Sequence, residues 1–171
     1  MPPEDNDASK NPSKRLTPQE LSGVLQRHRR FVNQLPGGTR ANLSFHDLSG
    51  VDLTDCDLSG ADLSGARLQR ATLTRVSLRT ASLFAADLRE GLLARSDRSR
   101  ELRAVTYEAS PADMVCVVAR RADLSHAKMS NAFVVQTDFS DANLYRVKLS
   151  GADLRNATLT GSILEGADLT G

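Results

Sequence analysis

The sequence predicts an all-β solenoid, and three observations predict it. Read in fives from Ala41, the chain gives eleven blocks, the last GLLAR, with Leu at every centre: Leu43, Leu48, Leu53, Leu58, Leu63, Leu68, Leu73, Leu78, Leu83, Leu88 and Leu93. Two positions before each Leu stands a small or compact residue, from Ala41 through Val51, Cys56 and Ala61 to Gly91, with His46 the one departure. The same period returns over 122–171 in ten more blocks, from ADLSH to ADLTG.

A period of five suits neither regular element. On a helix, a step of five residues turns about 140° past a full turn, which scatters the leucines around the axis. On a flat strand, an odd step sends alternate leucines to opposite faces. A chain that bends once per block keeps every Leu on one side. Each block then has about three extended residues, the small residue and the Leu inward and the polar residue between them outward, followed by a turn. Ser, Thr, Asp and Gly fill the last two positions. Gly50, Gly60 and Gly65 can take a positive φ there without steric cost.

The block reads A(D/N)LXX, and on that motif the chain resembles the pentapeptide-repeat family over 41–93 and 122–171. The resemblance implies a right-handed quadrilateral β-helix with four blocks per coil, so that residues twenty apart stand above one another. Asp47, Arg67 and Asp87 then form an outward column of alternating sign, and Arg70 lies under Glu90. Exposed pairs of this kind contribute little energy; they serve as evidence of register.

The totals fit a single elongated domain whose stability sums over neighbouring coils. Aromatic content is 4% with no Trp, which excludes a large aromatic core. Charge is balanced, 22 basic residues against 21 acidic. The two repeat runs hold 13 acidic and 9 basic residues, and residues 1–40 hold 7 basic and 4 acidic. Neither imbalance points to nucleic acid or a membrane as partner. Cys56 occupies an inward position and Cys116 an apolar stretch, which is not a disulfide framework. The N-terminus has no hydrophobic signal region, and the longest apolar run, 114–119, is too short to span a membrane. These features give the expectation of a cytoplasmic protein.

In chain order, residues 1–15 read as a disordered tail and 16–36 as a capping unit. The helix runs over 17–35. Thr17 is its N-cap, Pro18 stands at N1, Glu20 completes a capping box, and Leu16 with Leu21 forms a hydrophobic staple. Leu21, Val24, Leu25, His28, Phe31, Val32 and Leu35 make one apolar face, and Pro36, Gly37 and Gly38 end the helix. That face suits the open end of a β-helix, which otherwise exposes unpaired backbone. Arg27, Arg29 and Arg30 read as a solvated face rather than an anion site. His28 and His46 can meet where the helix covers the first coil; a packed pair, or two unrelated histidines, fits better than a metal site with no further ligand. His126 falls at a turn and carries no signal.

Residues 37–93 are the first repeat run, 94–121 an insertion, and 122–171 the second run. The insertion reads as a β-hairpin over 94–111, with Leu92–Arg95 and Leu102–Tyr107 flanking the polar Ser96–Arg100. From Leu93 to Leu124 the step is 31 where 30 keeps register. Phase resumes by Ala122. It resumes at Ala112 if ADMVC is a block, in which case VVARR follows with Ala119 at its centre; an extra residue near Arg120–Arg121 is the other explanation.

No catalytic constellation, phosphate loop or metal-ligand spacing is present, and no cofactor is implied. The aspartates before each Leu are explained by the repeat. The strongest site signal is apolar residues on outward positions of the second run: Phe133, Val135, Tyr145 and Ile163, the last two on one face, with Arg98 and Arg100 at the hairpin tip completing a candidate partner surface. The expected function is a non-enzymatic scaffold for protein–protein interaction, its partner unnamed. Two alternatives stand beside it. Some proteins of the family bind DNA gyrase as acidic rods shaped like duplex DNA, against which stand the near-neutral charge and wall residues such as Arg67, Arg70, Lys128 and Lys148. The other is a structural spacer. The sequence stops at Gly171 in repeat, which gives the expectation of either an end-to-end homodimer through the C-terminal coil or a shortened member of a longer family.

Overall fold

The computed structural model describes residues 14–89 and 117–171. The hairpin reading of 94–111, the Arg70–Glu90 pair, Arg98 and Arg100 lie outside the described residues. Parallel bridges join residues twenty apart: Asn42 to Asp62, Asp47 to Arg67, Asp52 to Thr72 and Asp57 to Ser77. Four blocks therefore make one coil, with four walls named here by those first-coil residues. The alternating column Asp47–Arg67–Asp87 stands on the Asp47 wall as the sequence predicts. Each wall of each coil contributes a single bridge. Among the described residues only β1 (Val117–Val118) and β2 (Thr137–Asp138), paired in parallel, are longer.

The core is the inward set. The centre leucines from Leu43 to Leu88 are at most 2% exposed, and Leu124, Met129, Val134, Phe139, Leu144 and Leu149 continue the same columns. Complete burial of each such side chain is worth about 1.5–3 kcal/mol. The outward Asp or Asn acts locally, its carboxyl or amide oxygen accepting the backbone N–H two residues on. Ser64 donates to Asp62 at 3.0 Å, Thr54 to Asp52 at 2.9 Å and Ser125 to Asp123 at 3.0 Å. These bonds satisfy a turn donor that no ladder reaches. They also hold Asp62 and Asp52 below the ordinary carboxylate range, by the Ser64 backbone bond first in Asp62 and the Thr54 side-chain bond first in Asp52. Because the folded-state values are depressed, this contribution to stability is complete above the ordinary carboxylate pKa and is lost as pH falls through the folded values.

Every described fifth position lies in the left-handed region, whether or not it is Gly: Gly50 has φ +70°, Arg75 +55°, Thr80 +55° and His126 +58°. The four corners of the coil demand this conformation, so side chains are tolerated there at a cost. Thr80 is the clearest case, being β-branched and exposed. Thr80→Gly is therefore expected to raise stability by about 0.5–1 kcal/mol, the strain relieved exceeding the added unfolded-state entropy. A urea melt checks it.

The helix α1 (Pro18–Val32) has the predicted start: Glu20 N–H donates to Thr17 Oγ1 at 3.2 Å and Thr17 N–H to Glu20 Oε2 at 2.8 Å. It ends three residues earlier than the sequence pattern suggests. The Asn33 side-chain amide caps Arg29 O at 2.7 Å, and Gln34 turns left-handed at φ +55°. Leu35, expected on the apolar face, is consequently 55% exposed. The returning chain passes so close that a Cβ on Gly38 would stand 2.3 Å from Phe31 N. Leu16, Leu21, Val24 and Leu25 of this N-terminal unit are partly buried against the core.

Three further readings are corrected. Lys14 and Arg15, assigned to the tail, extend the Asp47 wall downward: Arg15 bridges Asp47, whose N–H donates to Lys14 O at 3.1 Å. Residues 117–121, assigned to the insertion, are a regular block, with Val117 and Ala119 inward at 1% exposure and Arg121 at the left-handed corner. No extra residue is needed at Arg120–Arg121; Ala119 takes a Leu position because Phe139 stands in the same column one coil above. Cys56, at its inward position, is half-buried rather than buried, because no described coil lies beneath it. Of the two alternatives for the histidines, the structure gives the unrelated pair. His28 Nδ1 accepts the Ala41 N–H at 3.0 Å, and His46 Nδ1 bonds Ser44 O at 2.8 Å.

The stack runs across the interruption. Ser77 bridges Val118, Ser82 bridges Asp123 and Asp87 bridges Lys128. The chain takes thirty-one residues from Asp87 to Val118 to advance two walls, which takes ten elsewhere, yet the coils on either side are direct neighbours.

Candidate functional site: an aromatic ridge on one corner

Direct stacking across the interruption assembles a feature that no single run contains. On the Asn42 wall, Phe84 stands in the turn of one coil, His126 in the next and Tyr145 in the one after. The Phe84 and His126 ring centroids are 5.7 Å apart at 71°, and those of His126 and Tyr145 are 5.5 Å apart at 77°. Both are edge-to-face arrangements, each worth about 0.5–1.5 kcal/mol beyond area burial. Arg146 lays its guanidinium carbon 5.0 Å from the Tyr145 ring centre, which closes the upper end with a cation–π contact.

The ridge continues downward. Phe45, on the first coil of the same corner, is 71% exposed and lies across Gly65, where a Cβ would meet its ring at 2.5 Å. Gly65 N–H in turn donates to Phe84 O at 2.8 Å. Ile163, at the outward position of the same wall, is 54% exposed and bridges Asn143, whose side-chain oxygen accepts the Tyr145 N–H at 3.1 Å. Five of the six described coils thus present Phe45, Phe84, His126, Tyr145 and Ile163 on one wall, the second contributing Gly65.

The sequence-predicted surface is divided by the fold. Tyr145 and Ile163 belong to this wall, as expected. Phe133, 38% exposed, and the half-buried Val135 belong to the Asp52 wall on the opposite side. Phe45, Phe84 and His126 do not stand out in the sequence. Their alignment is legible only with the forty-one-residue step from Ser82 to Asp123, which the sequence pattern leaves open. Among the described residues no group of His, Cys, Asp and Glu is placed to hold a metal ion. Nor is any helix among them long and apolar enough to cross a membrane.

No curated protein matches the chain. Among solved structures it is similar to HetL, a pentapeptide repeat protein involved in heterocyst differentiation regulation from the cyanobacterium Nostoc sp. strain PCC 7120. The identity is 25% over 76% of this chain and 70% of that one, with a TM-score of 0.41. A pentapeptide repeat protein of the Arabidopsis thaliana thylakoid lumen shares 29% identity over 77% and 68% of the two chains, with a TM-score of 0.32. QnrB1, a plasmid-mediated fluoroquinolone resistance protein, shares 17% identity over 75% and 72%, with a TM-score of 0.29. The family model for pentapeptide repeats matches in eight copies, over residues 52–89, 112–141, 120–156 and 137–171. That is more than half of the chain, and it follows the block pattern seen in the coils: the protein belongs to the pentapeptide repeat family.

Proposed function

We propose that the protein is a non-enzymatic scaffold, a right-handed quadrilateral β-helix that presents the Asn42-wall ridge to a protein partner. The observation that carries this reading is the ring contact of the exposed Phe84 and His126 with the half-buried Tyr145, flanked on the same wall by the exposed Phe45 and Ile163. A repeat wall needs no apolar side chain at outward or turn positions, and contiguous apolar patches mark contact sites. Aromatic residues and Arg are also the types that dominate interface energetics. A pull-down from native extract tests it, comparing the natural chain with one carrying Phe45→Ser, Phe84→Ser and Tyr145→Ser. The reading expects a partner retained by the first and lost by the second; an identical partner set with both contradicts it.

The gyrase-mimic reading gains no support from the surface. The Asp47 wall alone sets Arg67, Arg70, Arg89, Lys128 and Lys148 against Asp47, Asp87 and Asp168. Self-association of the last described coil has one observation in its favour: Leu154, Leu159 and Leu164 are only partly buried there and Leu169 is 48% exposed. A concentration-independent monomer mass by light scattering would remove that second reading.

A further inference from the structure

The base of the stack carries a second site, independent of the ridge. Within the coils each outward residue pairs downward: Asp62 N–H donates to Ala41 O and Asp47 N–H to Lys14 O. At the first coil, therefore, the downward groups of the Asp47 wall are met by Lys14–Arg15, and the coil's starting N–H, that of Ala41, is met by His28. The Asp52 and Asp57 walls have no such partner. Among the described residues, nothing accepts the N–H of Asp52 or Asp57.

These two edges lie in a groove of about 1050 Å³ between α1 and the coil, at the upper end of the size of ligand pockets, about 300–1,000 Å³. Leu21 and Leu25 with Leu16 and Pro18 form one side; Val51 and Cys56, half-buried with no described coil beneath them, form the other. Unpaired backbone along apolar pockets is the setting in which an extended peptide adds as a strand, the backbone giving affinity and the pockets taking alternate side chains. The chain itself demonstrates the mode one wall away. Lys14–Arg15 lies parallel below Asp47, with its basic side chain under the acidic one.

Charge gives the same direction. Asp52, Asp55 and Asp57 line the groove together with Arg15 and Arg29. Asp55 is engaged by Arg75, and Arg15 stands beneath Asp47, which leaves two carboxylates against the single cation of Arg29. The carboxylates left over the unpaired edges are those of Asp52 and Asp57, both outward-facing and within reach of solvent.

We propose that this groove is a strand-addition site for an extended basic peptide of a partner protein, which runs parallel to the first coil and places one basic side chain beneath Asp52 and another, five residues later, beneath Asp57. The small residues of the peptide face Val51 and Cys56, and its apolar residue after each basic one packs toward Leu21 and Leu25.

A fluorescein-labelled Ala-Arg-Leu-Ser-Gly-Ala-Arg-Leu-Ser-Gly peptide is the probe, with a control in which Glu replaces every Arg. The full chain is titrated by anisotropy, and amide hydrogen exchange is followed at Asp52 and Asp57. The expected result is saturable binding, at least tenfold weaker for the acidic control and for Asp57→Lys, with at least tenfold slower exchange at both amides on saturation. No saturable binding, equal binding of the acidic peptide, or binding that leaves exchange at Asp52 and Asp57 unchanged overturns the proposal. A thermal melt of Asp57→Lys matching that of the natural chain shows that lost binding is not lost folding.

Discussion

Leu68→Ala should lower stability by about 2–5 kcal/mol, whereas Leu169→Ala, in the same column, should cost less than about 1 kcal/mol. Leu68 is wholly buried between Leu48 and Leu88, themselves 1% exposed. Its truncation leaves a void that the stacked backbones, locked by bonds such as Leu68 N–H to Asp87 O at 2.7 Å, cannot collapse to fill. Leu169 is 48% exposed and has no described coil above it, so its truncation removes less contact and opens no closed cavity. In a solenoid each coil is stabilised by its neighbours, so a defect at mid-stack weakens two interfaces and a defect at the end weakens one. Urea denaturation of the two variants checks the contrast. Equal losses would mean that the column does not run as described.

The second large effect is on acid stability, through His28. Its ring is completely buried and stacked on Phe31 at 5.8 Å. Nδ1 accepts the Ala41 N–H, which places the proton on Nε2, and Nε2 has no partner among the described residues. Protonation would put a hydrogen on Nδ1, break the bond to Ala41 and leave a buried charge. Burial pushes the His28 pKa below its ordinary value, with the charge of Asp57 opposing the shift and that of Arg40 adding to it. The folded state therefore binds this proton less readily than the unfolded chain. His28 contributes stability in full above the ordinary histidine pKa of about 6.5, and that contribution is lost as pH falls through the lower folded value. The loss expected is about 1–3 kcal/mol, the cost of leaving a buried donor unmet. Thermal melts between pH 7.5 and 5 should show the decline in the natural chain. His28→Leu should be less stable at pH 7.5 and nearly flat across that range. A parallel decline in the variant would contradict the assignment to His28.

The fold is legible in the sequence because its repeat is written in side-chain size. A Leu every fifth residue with a small residue two before it requires a chain that bends once per block; the twenty-residue spacing of the bridges is what the family resemblance implies. Thr17, Pro18 and Glu20 likewise declare the helix start, since capping is a local interaction. The helix end is harder to place because apolar spacing continues through Leu35, while the competing caps of Asn33 and Gln34 are conformational rather than compositional. Val117–Arg121 looks irregular because Ala119 stands where Leu is usual. Its volume makes sense only beside Phe139, whose size is set against a neighbour one coil away. The ridge is hidden for the same reason. Tyr145 and Ile163 are apolar at conspicuous positions within one run, but Phe84 and His126 become neighbours only through contacts across residues 90–116.

The ridge exists only if the coil of Ser82 lies directly against the coil of Asp123. Double-cysteine cross-linking probes that continuity, in a background of Cys56→Ser and Cys116→Ser. Ser82→Cys with Asp123→Cys, adjacent in one parallel column, should form a disulfide on mild oxidation. Ser82→Cys with Leu102→Cys, the position twenty residues on that an uninterrupted coil would place there, should form none. A bond to position 102 in place of position 123 would show that the two runs do not stack directly and that the ridge is not continuous.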